Sequence, residues 1–304
     1  MKVFLTGANG RVGSHVLRHL LARGHSVTGL VRTPEGASYI TSLVKNDPNF
    51  TTIVGDLSNH DLLVSNAKLH DGTIHCAMEH RSNPAQAAAH EREIVQLIGN
   101  ALEGTGKSFI ISGVVAPIGG NGDEQTEPTL GRIPRATTDV EVRELKNKGV
   151  RSATVRLASV THNKESIHPF LGSMIAAANK LGYIPYASED NYWTAGHADD
   201  AGLLFVLVLE KGQPGVAVHE IQEKVKVKDI AELLARKTGK TAGKIPTERL
   251  SELGFIGNFL GSDQTHLSSE WTKKTFGWEP KGQTLLDELE KAPKEYFEGA
   301  AFPS

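Results

Sequence analysis

KVFLTGANGRVGS, residues 2–14, decides how the rest of this chain is read. A short apolar run stops at Gly7, Gly10 and Gly13 follow at equal spacing, and Val12, Val16, Leu17, Leu20 and Leu21 then recur with helical periodicity. The pattern predicts a strand, a tight turn and a helix. Gly7 permits the turn, Gly10 lets a phosphate approach backbone N–H groups, and Gly13 lets the helix lie close to the strand. Together with Asn9, Arg11 and Val12 they form an expected nucleotide cradle. A glycine triplet alone is a weak signal, and its weight comes from what surrounds it.

Working outward, HSVTGLVR (residues 25–32), FTTIVGDL (50–57), GTIHCAM (72–78), KSFIISG (107–113) and SATVRLASV (152–160) read as further strands. Residues 37–45 and 84–104 read as helices between them. Strands alternating with helices predict an α/β fold, a doubly wound parallel sheet of the dinucleotide-binding type. From about residue 161 the pattern changes. Helices are expected at 168–182 and 227–240, a strand at 215–222, and short helices near the end. We therefore expect a nucleotide-binding domain over residues 1–160 and a smaller substrate lobe over 161–304, with residues near 195–220 returning to the first sheet. The loop APIGGNGDEQTEPTLGRIPR, residues 116–135, is long enough to be functional.

The 304 residues carry 33 Lys and Arg against 35 Asp and Glu, a formal net charge of −2. That balance offers no footprint for nucleic acid or for a membrane surface, so a small-molecule partner is expected. A single cysteine, Cys76, excludes an internal disulfide and fits a reducing compartment. The opening residues do not read as a signal peptide, and the longest apolar run, AGLLFVLVLEKG (201–212), is too short to span a bilayer. A soluble cytoplasmic protein, monomer or homodimer, is the expectation.

After the second strand an acid would hold the ribose hydroxyls of NAD, but the chain reads Val31, Arg32, Thr33. An arginine fork cannot accept those hydroxyl hydrogens and can grip a 2′-phosphate, so Arg32 and Thr33 favour NADP(H). Asp56 and Leu57, after the third strand, are placed for the adenine edge, and Ala77, after the fourth, for the cofactor ribose.

TGANGRVG, GDL, GTIHCA, SGV, VRLASV and HADDAGLL together resemble the extended short-chain dehydrogenase/reductase superfamily, the NAD-dependent epimerase/dehydratase-like proteins, over nearly the whole chain. The resemblance implies a Ser/Thr, a Tyr and a Lys as catalytic triad. Aligned on the fifth strand, Val114 stands at the serine position; aligned on PRATTD, Arg135 and Asp139 stand at the tyrosine and lysine, and a shift of two places Ile133 and Thr137 there. No tyrosine occurs between Tyr39 and Tyr183. NYWTAGHADDAG and FLGSDQTHLSSEWTKKTFGWEP resemble an atypical, triad-less branch, matching its motif at Asn191, Trp193, His197, Asp200 and Ala201. The stretch after His162 departs from that branch's glycine-rich pattern.

A carbonyl reduction needs a proton as well as hydride. The candidate catalytic residues are His80, after the fourth strand, and Tyr186, with His162, Trp193 and His197 as candidates for the substrate pocket. Asp139 is also read as an ion-pair partner of Arg135 or Arg143. The histidine spacing matches no metal-ligand motif, so no metal is expected. The sequence therefore points to an NADPH-dependent reductase of a small carbonyl, imine or activated alkene, or to an NADP(H) sensor that binds without turnover. A sugar-nucleotide epimerase is disfavoured, because epimerisation relies on the same tyrosine.

Overall fold

The computed structural model describes residues 1–79, 84–131 and 133–298. A seven-stranded sheet forms its centre. It comprises β1 (Lys2–Thr6), β2 (Ser26–Val31), β3 (Phe50–Val54), β4 (Gly72–His75), β5 (Ser108–Val114), β7 (Arg151–Leu157) and β11 (Val216–Glu220). The order is β11-β7-β5-β4-β1-β2-β3, and every pairing is parallel. Parallel neighbours require crossovers, which the intervening helices provide. The chain runs from β1 outward to β3, then returns beside β1 with β4 and proceeds the other way. The switch point between β1 and β4 is the crevice where such sheets bind ligands.

Alternation along the strands sorts the helices into two layers. Val3, Leu5, Val27 and Val31 face a core shared with α1 (Gly13–Ala22), α2 (Pro34–Leu43) and α7 (Ala198–Lys211). Phe4, Leu30, Phe109 and Ile111 face the opposite core, with α3 (His60–Leu69), α4 (Pro84–Ala101) and α5 (Arg135–Glu144). Gly202 lets α7 lie against α1, since a Cβ there would meet the His15 backbone at 2.7 Å.

The second lobe has its own core. There α6 (Pro169–Leu181) and α8 (Val227–Thr238) pack with β8 (Val160–His162), β10 (Tyr192–His197) and β12 (Glu223–Lys226). The strand β9 (Ile184–Tyr186) pairs with β13 (Ala242–Lys244), and β6 (Asn121–Gly122) with β14 (His266–Leu267). The helices α9 (Phe255–Leu260), α10 (Glu270–Phe276) and α11 (Leu285–Lys291) complete the chain. The long loop expected from residue 116 is thus partly ordered: β6 pins it to β14, and Thr129 N–H donates to the Pro117 carbonyl. Among the described residues, no helix is long and apolar enough to cross a membrane.

Candidate functional site

The site is built on the turn from β1 to α1. Gly7 has φ +70°, and a Cβ on it would lie 2.8 Å from Ala77 N and 2.9 Å from Cys76 C, so β1 and β4 end in direct backbone contact. The Gly10 N–H donates to the Gly7 carbonyl at 2.8 Å. A Cβ on Gly13 would fall 2.0 Å from that same oxygen, so the first turn of α1 can close on the loop only without one. Thr6 Oγ1 ties the junction, bonding His75 Nδ1 at 2.8 Å and accepting from the Ala77 N–H at 3.3 Å. Burial pulls His75 down to about 4, which keeps its ring neutral at pH 7.

Among the described residues, the backbone N–H groups of Asn9, Arg11, Val12 and Gly13 find no protein acceptor. They converge at the start of α1, whose Val12 cap adds no side-chain bond. Unpaired donors at a helix start suit a pyrophosphate. The Arg11 side chain goes elsewhere. Its guanidinium donates to Asn163 Oδ1 at 3.1 Å, Ser166 O at 2.7 Å, Ser166 Oγ at 3.0 Å and Ile167 O at 2.8 Å. Its contribution to a ligand is therefore through the backbone, and the side chain joins the glycine loop to the lobe.

Arg32 is exposed beyond β2 and has no hydrogen bond or ion pair among the described residues. Thr33 caps α2, accepting from the Gly36 N–H at 3.1 Å. The strand expected to run to Leu57 stops at Val54, because the Asn59 carboxamide takes the Asp56 N–H at 2.9 Å and turns the chain into α3. Asp56 accepts from the Ser58 hydroxyl at 2.6 Å and N–H at 2.8 Å. Those bonds, aided by Arg32, hold its carboxyl below the usual range. Leu57 rests against the core of the α3–α5 face.

The residues expected at a substrate pocket occupy other places. Trp193 has no exposed surface: its indole N–H donates to the Phe259 carbonyl at 2.9 Å and its ring meets Phe170 in the lobe core. His162 is likewise fully buried, with Nδ1 2.8 Å from Glu288 Oε1. Neither side chain presents surface to solvent. His197 caps α7 by accepting from the Asp199 N–H at 3.2 Å, and its Nε2 lies 3.3 Å from Glu288 Oε2. It also meets His15 of α1 edge-on at 6.2 Å, so it belongs to the seam between α1, α7 and α11. Although burial pushes the other way, hydrogen bonds from His162 and His197 hold Glu288 at about 2.

Tyr186 sits on β9 in the second lobe, partly packed against that lobe's core. Its hydroxyl donates to Glu189 at 3.1 Å, and desolvation together with that carboxylate raises its pKa. His80 lies outside the described residues.

Periodicity could not reveal the groups that gather beside the β5 and β7 ends. Arg135, the first residue of α5, forks onto Glu91 of α4, with Nε to Oε2 at 2.8 Å and Nη2 to Oε1 at 2.6 Å. Asp139, one turn on, accepts from Arg156 Nε at 3.0 Å and Nη2 at 2.8 Å, and lies 3.5 Å from Arg143 Nε. Behind them Glu220, fully buried, accepts from the Ala158 N–H at 3.1 Å and the Thr161 hydroxyl at 2.9 Å. Burial raises its carboxyl to about 8.

A parallel, doubly wound sheet with a glycine turn at its switch point defines a dinucleotide-binding fold. The chain belongs to the NAD(P)H-binding family, whose profile matches residues 7–172. An uncharacterised protein of Schizosaccharomyces pombe is 33% identical over 304 residues, covering 98% of this chain and all of its own length. An uncharacterised protein of Saccharomyces cerevisiae is 34% identical over 297 residues, covering 95% of this chain and 98% of its own. Among solved structures, the dTDP-glucose 4,6-dehydratase of Bacillus anthracis in complex with NAD superposes with a TM-score of 0.72 at 17% identity, covering 98% of this chain and 96% of that one. At that identity the likeness concerns the fold.

Proposed function

We propose that this protein is an NADPH-dependent oxidoreductase that reduces a small carbonyl, imine or activated alkene without a Ser-Tyr-Lys triad. The observation that carries the cofactor preference is Arg32, exposed, unpartnered and standing where an acid would otherwise take the ribose hydroxyls. The unpaired N–H groups of the glycine turn and the space kept by Gly7 and Gly13 suit the pyrophosphate. Bound there, reduced nicotinamide supplies hydride, and the protein supplies position and electrostatics. Arg32 holds the 2′-phosphate, and the Cys76–Ala77 backbone bounds the ribose side. Because Tyr186 is engaged by Glu189 and raised, His80 is the general acid in this reading.

A sensor without turnover is the second reading. It is favoured by Asp139, whose carboxylate is spent on Arg156 and Arg143 and is not free for chemistry. Titration with NADPH and NADH by nicotinamide fluorescence, followed by a panel of aldehydes, ketones, imines and enones, separates the two. Preferential NADPH binding with turnover supports the reductase, and binding with no turnover supports the sensor. Failure to bind either nucleotide sinks both.

A further inference from the structure

Arg135 is held on two sides and open on a third. Nε and Nη2 are committed to Glu91, and Nη2 also donates to the Ser112 carbonyl. A guanidinium has five N–H donors, and these bonds take the three on Nε and Nη2. Nη1 has no hydrogen bond among the described residues, is not among the sealed unpaired atoms, and belongs to a side chain that is 14% exposed. Glu91, by contrast, is 2% exposed and serves as a fixed internal anchor.

The strand register places Ser112, the residue to which Nη2 donates. His75 of β4 pairs with Ile111 of β5, so Ser112 is level with Cys76. Cys76 and Ala77 touch Gly7 of the cofactor turn. Ser112 is therefore roughly one strand spacing, ~4.8 Å, from the wall of the glycine turn. It lies on the side away from Arg32 and Asp56, which is the side left for the nicotinamide half of a dinucleotide bound across the switch point. Consistent with this, the field of Arg135 reaches His75 and Cys76 at the end of β4.

Charge selects the ligand class. Glu91, 2.6 Å from Arg135 Nη2, matches its charge. The opening presents fixed N–H donors on a guanidinium whose charge is already paired with Glu91, which favours a neutral oxygen over a carboxylate or phosphate.

We propose that Nη1 of Arg135 receives the carbonyl oxygen of a neutral aldehyde or ketone. The assignment rests on the reductase reading and names its substrate class. Three existing bonds hold the guanidinium in place, so it meets the charge that grows on that oxygen without reorganising. Its part is to hold the oxygen by a hydrogen bond, and the proton of the product comes from the general acid.

The test uses the intact protein saturated with NADP+, in which no reduction can occur, and acetophenone with an isotope-labelled carbonyl. In the wild type the carbonyl stretch of bound acetophenone moves to lower wavenumber. In R135Q, and in E91Q/R135Q, which leaves no unpaired buried carboxylate, it returns toward the free value, and R135K recovers part of the shift. Benzoylformate, which carries a carboxylate, binds about tenfold more weakly than acetophenone. Single-turnover NADPH oxidation in R135Q falls about 100-fold while NADPH affinity stays within about threefold. An unchanged shift in E91Q/R135Q, no acetophenone binding to a wild type that binds NADP+, or preference for benzoylformate overturns this assignment and leaves the cofactor reading standing. A wild type that binds neither NADP+ nor NADPH overturns both.

Discussion

Arg156, which has no exposed surface, grips Asp139 through Nε at 3.0 Å and Nη2 at 2.8 Å, joining the middle of α5 to β7. The remaining Arg156 donors reach the Glu124 carbonyl at 3.3 Å and His219 Nε2 at 3.2 Å. Removing one charge strands the other in the interior. Asp139→Ala should therefore cost about 3–5 kcal/mol in chemical denaturation. The double variant Asp139→Leu with Arg156→Met should cost far less, because no buried charge is left unpaired. Equal losses in the two would mean that the pair is not the source of the effect.

Arg32 should set nucleotide choice and little else. It is exposed and makes no hydrogen bond or ion pair with the described residues, so Arg32→Ala should leave the melting temperature nearly unchanged. NADPH affinity should fall by about 10–100-fold, the worth of a hydrogen bond to a charged group, with NADH affinity nearly constant. A parallel loss for both nucleotides in the same fluorescence titration would remove the 2′-phosphate from the account.

Gly13 meets its constraint through space alone, because its Cβ would stand 2.0 Å from the Gly7 carbonyl. Gly13→Ala must push α1 off the turn and misalign the N–H groups above it. We expect NADPH affinity to drop by about tenfold or more. Gly24→Ala is the matched control. Gly24 has φ +77° and open space around its Cβ position, so it should cost stability with little effect on binding.

Glu220 should write itself into the pH dependence of stability. Its folded-state carboxyl is raised from 4.5 to about 8, so between those values the folded protein holds a proton that the unfolded chain releases. That contribution is complete below about pH 4.5 and is lost as pH rises toward 8. Urea titrations from pH 5 to 8.5 should show a declining slope in the wild type that Glu220→Gln flattens. Glu288, held at about 2, acts in the opposite sense: its stabilisation is present above 4.5 and lost as pH falls toward 2. A wild-type curve that is flat above pH 5 would contradict the assignment to Glu220.

The chain announces its nucleotide turn and central strands because both are local. Gly7, Gly10 and Gly13 are close in sequence, and the apolar runs of β1, β2, β4, β5 and β7 are buried along nearly their full length. α3 is not legible, because only Leu63 and Ala67 of its ten residues are buried and no apolar stripe stands out. The short strands β8, β10 and β12 are equally silent, since they exist by pairing with one another across 28 to 35 residues of sequence. Side-chain placement was the least accessible layer. Helical spacing pairs Asp139 with Arg135 or Arg143 along its own helix. It does approach Arg143, while Arg135 turns to Glu91, 44 residues earlier. Trp193 and His162 look like pocket residues by type and motif, yet the lobe uses them as filling and as a buried hydrogen-bond partner.

β11, the last strand of the central sheet, lies against β7 and comes from residues 216–220, while α7, residues 198–211, covers α1. During synthesis, the nucleotide turn would therefore leave the ribosome long before the pieces that enclose its helix. A fragment ending near residue 160 would display the bare edge of β7 and the apolar flank of α1, inviting self-association. The cofactor half is in this sense not a module that could be cut out and transplanted. Its completion waits on chain that also builds the opposite lobe.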